Sequence, residues 1–244
     1  MGKIITIKNN KGGVGKTFIA TQLASGLSML DKKVLILTSD SQNNVFTYLL
    51  KGNSEFERGL KTAVTKGNGE YFRLRENLYF LPLEDSKFSP QFLKALPDFL
   101  YKCKDEYDYI IIDSTPVLKI DNVFLENTDY IIIPGYGDKV TTESMINILD
   151  QVDIKKILCV VLNRYRPSEI QKMFAEEIKS ATEGTNIDFI TPIPHLTFIE
   201  KMLYGQKTIW EFTNKDANKI QDIFCEIIRK IQQEEVEESN GTID

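Results

Sequence analysis

A glycine-rich segment near the start of the chain has residue types suited to binding phosphate. It follows a short apolar run at residues 4–8 and opens a helical pattern at residues 18–30. A strand, a glycine-rich loop and a helix in this order are the context of a phosphate loop. Glycine N–H groups and the helix N-terminus attract phosphate, a lysine adds charge, and a threonine hydroxyl can bind Mg²⁺. The residues are Lys11, Gly12, Gly13, Val14, Gly15, Lys16 and Thr17.

Two aspartates stand at the ends of other short apolar runs. Asp40 follows the run at residues 34–37, and Asp113 follows the run at residues 109–112. In a parallel α/β sheet the carboxyl ends of the strands share one edge, where ligands bind. We therefore expect both carboxylates to lie at the same edge as the glycine-rich segment.

Seven short, continuous apolar runs alternate with helical patterns. Such runs are typical of strands buried on both faces, and their interleaving with helices indicates right-handed βαβ units. We predict an α/β fold with a mostly parallel, doubly wound sheet and helices on both faces. Residues 51–76 are interpreted as a surface excursion, and the last helix is expected to end at residue 233.

The 244 residues are expected to form one domain, 1–233, followed by a disordered acidic tail, 234–244. The net charge of −5 comes from 30 basic and 35 acidic residues, and five of the acidic residues lie in residues 231–244. The remaining body is neutral, so the charge does not exclude nucleic-acid binding.

Three scattered cysteines and a single histidine argue against a disulfide scaffold and a metal cluster. Without a signal peptide or a long apolar run, the chain is expected to be cytoplasmic.

The lysine that precedes the glycines is an addition to the general phosphate-loop pattern, which has a glycine where Asn10 stands. A lysine at the position of Lys11 resembles the "deviant" loop of the ParA/MinD family of ATPases. Residues 107–116 are similar to that family's second acidic motif, Y-D-Y-I-I-I-D-x-P-P.

The segment 38–44 resembles a third motif of the family, D-x-D-P-Q-x-N. It matches at Asp40, Gln42 and Asn44 and departs at Thr38 and Ser41. Thr38 replaces an aspartate that in relatives supports the Mg²⁺ shell, which bears on metal affinity and on the rate of hydrolysis.

The resemblance implies ATP or ADP and Mg²⁺ as ligands. Lys11 is expected to touch the nucleotide of the other subunit in a dimer, and Asp40 to position the attacking water. Thr17 and Asp113 are expected to hold Mg²⁺, partly through water. Lys11, Lys16 and Asp40 are the expected catalytic residues. The expected nucleotide-binding residues are Lys11, Gly12, Gly13, Val14, Gly15, Lys16, Thr17 and Phe18 at the loop, with Asn163 and Pro194 flanking adenine.

Branches of the family differ in the surface that the nucleotide controls. Because the phosphate loop begins ten residues into the sequence, no N-terminal helix-turn-helix domain is expected. Four glutamates within residues 234–238 would be repelled by anionic lipid, so no direct membrane binding is expected. Cluster cysteines of the iron-protein branch are absent, and small-molecule synthases lack the second lysine. The short ParA-type partition ATPases fit best.

The expected function is that of a slow partition ATPase, associated with the nucleoid, which forms a homodimer on ATP and binds DNA nonspecifically. A ParB-type or other centromere-binding adaptor is expected to stimulate hydrolysis. Nonspecific DNA binding needs basic side chains that reach phosphates; candidates are Arg164, Arg166, Lys172, Lys179, Lys201, Lys207, Lys215 and Lys219. Two alternatives stay open: a MinD-like ATPase that positions a protein or membrane-associated cargo, and a nucleotide switch with little hydrolysis.

Overall fold

Eight strands form one sheet in the computed structural model, which describes residues 1–115, 119–149 and 152–241. The strands are β1 (Lys3–Ile7), β2 (Val34–Thr38), β3 (Phe72–Arg75), β4 (Leu78–Leu81), β5 (Tyr109–Asp113), β6 (Tyr130–Gly135), β7 (Ile157–Leu162) and β8 (Asp188–Ile190). Their order in space is β3-β4-β2-β5-β1-β6-β7-β8. Every neighbouring pair is parallel except β3 with β4, which is antiparallel.

Nine α-helices connect or follow these strands within the described residues. They are α1 (Lys16–Ser28), α2 (Asn44–Leu49), α3 (Leu60–Lys66), α4 (Pro90–Glu106), α5 (Lys119–Asn127), α6 (Lys139–Leu149), α7 (Glu169–Thr182), α8 (Thr197–Tyr204) and α9 (Lys215–Gly241). None of them combines the length and apolarity that crossing a membrane requires.

The helices cover both faces of the sheet. Successive strand residues point to opposite faces, so Ile5 and Ile7 pack in a cluster with α1 and α9, whereas Ile4 packs in a cluster with α3, α4 and α5. Ile131 and Ile133 pack with α6 and α7. The α/β prediction is thereby confirmed, and the predicted strands agree with the observed ones to within a few residues.

The segment interpreted as a surface excursion carries regular structure. It contains α3 and the edge strand β3, which pairs with β4 through a turn at Asn77, whose φ is +55°. Polar residues alternate with apolar ones along β3, and only Leu74 is buried. The interpretation is wrong for β3, because a half-exposed edge strand lacks the continuous apolar run that marked the others.

The last helix is also longer than predicted, because α9 continues beyond residue 233 to Gly241. Two glutamates of this extension accept hydrogen bonds from tyrosines at the amino-terminal edge of the sheet. The hydroxyl of Tyr109 donates to Oε2 of Glu235 over 3.1 Å, and that of Tyr130 donates to Oε1 of Glu238 over 2.7 Å. Glu238 also pairs with Lys3. Residues 242–244 of the expected tail, Pro116 of the acidic motif and residues 150–151 lie outside the described residues.

Candidate functional site

The glycine-rich loop joins β1 to α1 at the carboxyl-end edge of the sheet, as its sequence context predicts. Gly13 and Gly15 have φ values of +79° and +94°, in the left-handed region that favours glycine. A Cβ atom on Gly15 would lie 2.0 Å from Nδ2 of Asn163. Glycine is therefore required here both by the backbone conformation and by the close approach of a neighbour.

Asn9 fixes the start of the loop, although sequence reasoning did not single it out. Its buried Nδ2 donates to the carbonyl of Pro134 over 2.6 Å. Its Oδ1 accepts from the N–H of Lys11 at 2.7 Å and from the hydroxyl of Ser144 at 2.8 Å. The loop is thus tied to β6 and α6, and a polar residue beside a buried strand was the available signal.

The two lysines of the loop occupy different environments. Lys16 is 8% exposed, and its Nζ donates to the carbonyl of Lys11 over 3.0 Å. Burial lowers the pKa of the Lys16 ammonium, and the nearby Asp113 carboxylate opposes that shift. Lys11 is exposed. Lys16 is therefore held inside the loop, whereas the side chain of Lys11 is open to solvent.

Thr17 and Asp113 meet at the mouth of the loop. The Thr17 hydroxyl donates to Oδ2 of Asp113 over 2.7 Å. Burial raises the pKa of Asp113 to about 7, against the opposing effects of this hydrogen bond and of Lys16. Mg²⁺ prefers oxygen ligands and keeps several waters, so a hydroxyl beside a carboxylate fits this ion. No cluster of three or more metal-binding side chains is found in the described parts of the chain.

Asp40 lies just beyond β2 and is half-buried. Its Oδ1 accepts from the N–H of Gln42 at 2.9 Å, and Nδ2 of Asn44 lies 3.5 Å from its Oδ2. Asn43 holds the end of this loop at φ +48°, where its side-chain amide exchanges two hydrogen bonds with the backbone of Leu83. The predicted carboxylate therefore stands on a loop that is fixed to β2 at one end and to the residues after β4 at the other.

A single cavity of about 430 Å³ brings the predicted residues together. Its size lies within the range of about 300–1,000 Å³ that is typical of small-molecule sites. Of the predicted residues, it is lined by Gly12, Gly13, Gly15, Lys16, Thr17, Phe18, Asp40, Asp113 and Asn163. Other lining residues were not predicted for the nucleotide site, among them Tyr48, Ser114, Thr115, His195, Leu196 and Ile199. Arg164, which was predicted to contact DNA, also lines this cavity.

The two residues expected to flank adenine are placed differently. Nδ2 of Asn163 donates to the carbonyl of Val14 over 3.0 Å, and its Oδ1 accepts from the N–H of Arg164. Pro194 forms an isolated bridge with Tyr165, and the next residue, His195, lines the cavity. Contact of either residue with a base remains a prediction.

The chain is similar to several proteins of known description. A family model described as an AAA domain matches residues 2–159. An ATP-binding protein of Methanocaldococcus jannaschii is 30% identical, with 74% of this chain and 71% of that protein covered. The sporulation initiation inhibitor Soj of Bacillus subtilis is 29% identical, with 62% and 65% covered. The septum site-determining protein MinD of Thermotoga maritima is 25% identical, with 100% and 93% covered.

Solved structures share the fold. A variant of McdA from Cyanothece in complex with ATP superposes with a TM-score of 0.80 at 19% identity, covering 95% of this chain and 96% of that one. A protein of Borrelia burgdorferi described as a plasmid partition protein, bound to AMPPNP, has a TM-score of 0.74 at 25% identity, with 94% and 99% covered.

Proposed function

The chain belongs to the ParA/MinD family of P-loop ATPases, and from this membership we propose that it is a partition ATPase. In this proposal ATP closes a homodimer that binds DNA nonspecifically on the nucleoid, and an adaptor stimulates hydrolysis. One observation carries the ATPase part: Lys16, Thr17, Asp40 and Asp113 line one cavity beside two left-handed glycines. Soj and the Borrelia plasmid partition protein support the partition part.

The roles proposed for the site residues follow from their positions. Lys16, inside the loop, binds the β- and γ-phosphates together with the backbone N–H groups. Thr17 and Asp113 hold Mg²⁺, which neutralises charge on the phosphates when it is bound. Asp40 orients a water and accepts its proton as the water attacks the γ-phosphate, and the bond from the γ-phosphorus to the bridging oxygen breaks to release ADP and phosphate.

The proposed dimer rests on the exposure of Lys11. A lysine whose side chain is open to solvent, and not folded into its own loop, can reach the phosphates of a second copy bound face to face. Asp40 is half-buried in one copy, so water has access to it until the partner covers the cavity. Turnover by the single chain is therefore proposed to be slow, because the site is complete only in the dimer.

The proposed DNA contact rests on basic side chains in the C-terminal half of the chain. Seven of the eight candidates are exposed, and Lys207 is half-buried against the ring of Phe212, with Nζ 5.2 Å from its centroid. No salt bridge involves any of the eight within the described chain. Unpaired surface cations are available to DNA phosphates without the loss of an internal ion pair.

A second candidate function is the positioning of a protein or membrane-associated cargo, which the full-length similarity to MinD favours. The acidic end of α9 argues against direct contact of that helix with anionic lipid. A nucleotide switch with little hydrolysis is the third candidate, because Thr38 departs from the family pattern.

Light scattering with Mg²⁺ and ATP, ADP or no nucleotide tests the switch. We expect the mass to double with ATP but not with ADP or without nucleotide. We expect Lys11→Ala to stay monomeric with ATP while it still binds the nucleotide. A wild-type mass that does not depend on the nucleotide would refute the ATP-dependent dimer. Sedimentation with anionic vesicles then separates the membrane alternative from the partition function.

A further inference from the structure

Thr38, the last residue of β2, bonds to the backbone of both aspartates of the site. It is 1% exposed, and its hydroxyl donates to the carbonyl of Asp113 over 3.1 Å. The same oxygen accepts from the N–H of Asp40 at 3.0 Å. A hydroxyl offers one donor and two acceptor positions, so both bonds can exist together. We propose that Thr38 is the positioning residue that fixes Asp40 for ATP hydrolysis, an inference that rests on the proposed ATPase function.

The backbone ladder alone does not fix Asp40. The register of β2 with β5 ends at the pair Thr38 and Asp113, and the N–H of Ser39 makes a further bond of 3.2 Å to the Asp113 carbonyl. Asp40 is the first residue beyond this ladder, and its N–H is taken by the Thr38 hydroxyl. That side chain therefore extends the connection between β2 and β5 by one residue, to the residue that carries the reactive carboxylate.

The hydroxyl of the next residue, Ser39, contacts a different part of the site. Ser39 accepts from the N–H of Thr115 at 2.7 Å, and its oxygen lies 2.9 Å from the Thr115 hydroxyl. It ties the end of β2 to the residue that follows Ser114, and in the described part of the chain its side chain makes no hydrogen bond to Asp40. Ser39 thus cannot replace Thr38, and the two hydroxyls hold different parts of the site.

The far end of the Asp40 loop has its own anchor. The N–H of Asn43 donates to the Asp40 carbonyl over 3.0 Å, while the Asn43 side chain pairs with Leu83. Loss of Thr38 would leave this anchor in place. We therefore expect a local shift of Asp40 rather than loss of the loop, and a misplacement of about 1 Å costs on the order of 100-fold in rate.

Two substitutions of Thr38 separate the hydroxyl from the shape of the side chain. Thr38→Val keeps the branched shape and removes both hydrogen bonds, whereas Thr38→Ser keeps both bonds and loses one methyl group. Thr6→Val is the matched control, because Thr6 is also a buried strand residue with a side-chain bond, of 2.9 Å, to the Thr128 hydroxyl. Thr6 is absent from the cavity lining.

Steady-state hydrolysis gives the first measurement. For Thr38→Val we expect kcat to fall by about tenfold or more and KM for ATP to change by less than about twofold. We expect Thr38→Ser and Thr6→Val to keep kcat within about threefold. The proposal is overturned if Thr38→Val keeps its kcat, if Thr38→Ser loses as much, or if only KM changes.

Hydrogen exchange of the nucleotide-free protein gives the second measurement. The Asp40 amide is expected to exchange about tenfold faster in Thr38→Val, because one hydrogen bond is lost, and at the wild-type rate in Thr38→Ser and Thr6→Val. Unchanged exchange in Thr38→Val would overturn the proposal even without an activity assay. A wild-type protein that hydrolyses no ATP would instead refute the proposed function, while the exchange result still decides whether Thr38 holds Asp40.

Discussion

The hydroxyl of Thr17 donates a hydrogen bond to Oδ2 of Asp113 over 2.7 Å, although the two residues are 96 positions apart. The sheet brings them together, because β1 and β5 are parallel neighbours with Ile7 opposite Asp113. The helix that begins after the glycine-rich loop is thereby joined to the acidic end of the adjacent strand. We propose that these two side chains would hold Mg²⁺, partly through water.

Replacement of the buried lysine is expected to weaken nucleotide binding. Lys16→Ala should weaken the affinity for a fluorescent ATP analogue by about 10- to 100-fold, because a charged hydrogen-bond donor to the phosphates is lost. Lys11→Ala is the control, since the exposed Lys11 should leave the affinity of a single chain within about threefold. An unchanged affinity in Lys16→Ala would contradict the phosphate-binding role.

Replacement of the proposed water-positioning carboxylate is expected to separate binding from hydrolysis. Asp40→Asn should still dimerise on ATP, and its phosphate release should fall by about 100-fold or more, because the amide cannot accept the proton. Asp105→Asn, an exposed change on α4, should have no effect on either. Normal phosphate release from Asp40→Asn would assign the role to another residue.

The parts of the site that could be predicted from the sequence are those formed by residues close together in the chain. The glycine-rich loop, Asp40 and Asp113 follow directly from a strand, a loop and a helix in order. The partners of Asn9 could not be predicted, because its bonds to Pro134 and Ser144 span 125 and 135 positions and depend on which strand lies beside β1.

Contacts between distant segments also account for the two errors in the predicted fold. The glutamates near the end of α9 look solvated in the sequence, yet Glu235 and Glu238 are opposite Tyr109 and Tyr130 at the starts of two strands. The edge strand β3 owes its place to pairing with β4 and not to an apolar run. Both the length of α9 and the position of β3 depend on contacts between segments that are distant in the sequence. Such contacts cannot be read from the local sequence.

A buried ion pair beneath the loop is expected to contribute to stability only as a pair. Nζ of Lys8 lies 4.0 Å from Oδ2 of Asp121, and both side chains are buried. Burial lowers the pKa of Lys8, and Asp121 opposes that shift. Lys8→Met or Asp121→Asn should each lower the free energy of unfolding in urea by about 3–5 kcal/mol.

The double variant of this pair tests the coupling. Lys8→Met with Asp121→Asn should lose clearly less than the sum of the two single losses, because the double variant removes both buried charges together. Additive losses in the urea experiment would show that the two side chains stabilise the fold independently.

Removal of the acidic end of α9 is expected to lower stability without touching the site. A chain that stops after Gln233 loses the bonds from Tyr109 and Tyr130, which should cost about 1–3 kcal/mol in urea unfolding. Its affinity for ATP should be unchanged, because these bonds lie at the opposite edge of the sheet. Glu237→Gln, an exposed change on the same helix, is the control. Unfolding at the wild-type urea concentration would mean that these bonds contribute nothing.

Binding of a labelled, random-sequence DNA duplex tests the central claim most directly. Fluorescence anisotropy is measured with Mg²⁺ and either ATP or ADP, for the wild type and for Lys11→Ala, at two salt concentrations. We predict that the wild type binds with ATP and not with ADP, that added salt weakens this binding, and that Lys11→Ala binds with neither nucleotide. Equal affinity with ATP and ADP, or no binding by the wild type with ATP, would contradict an ATP-switched partition ATPase.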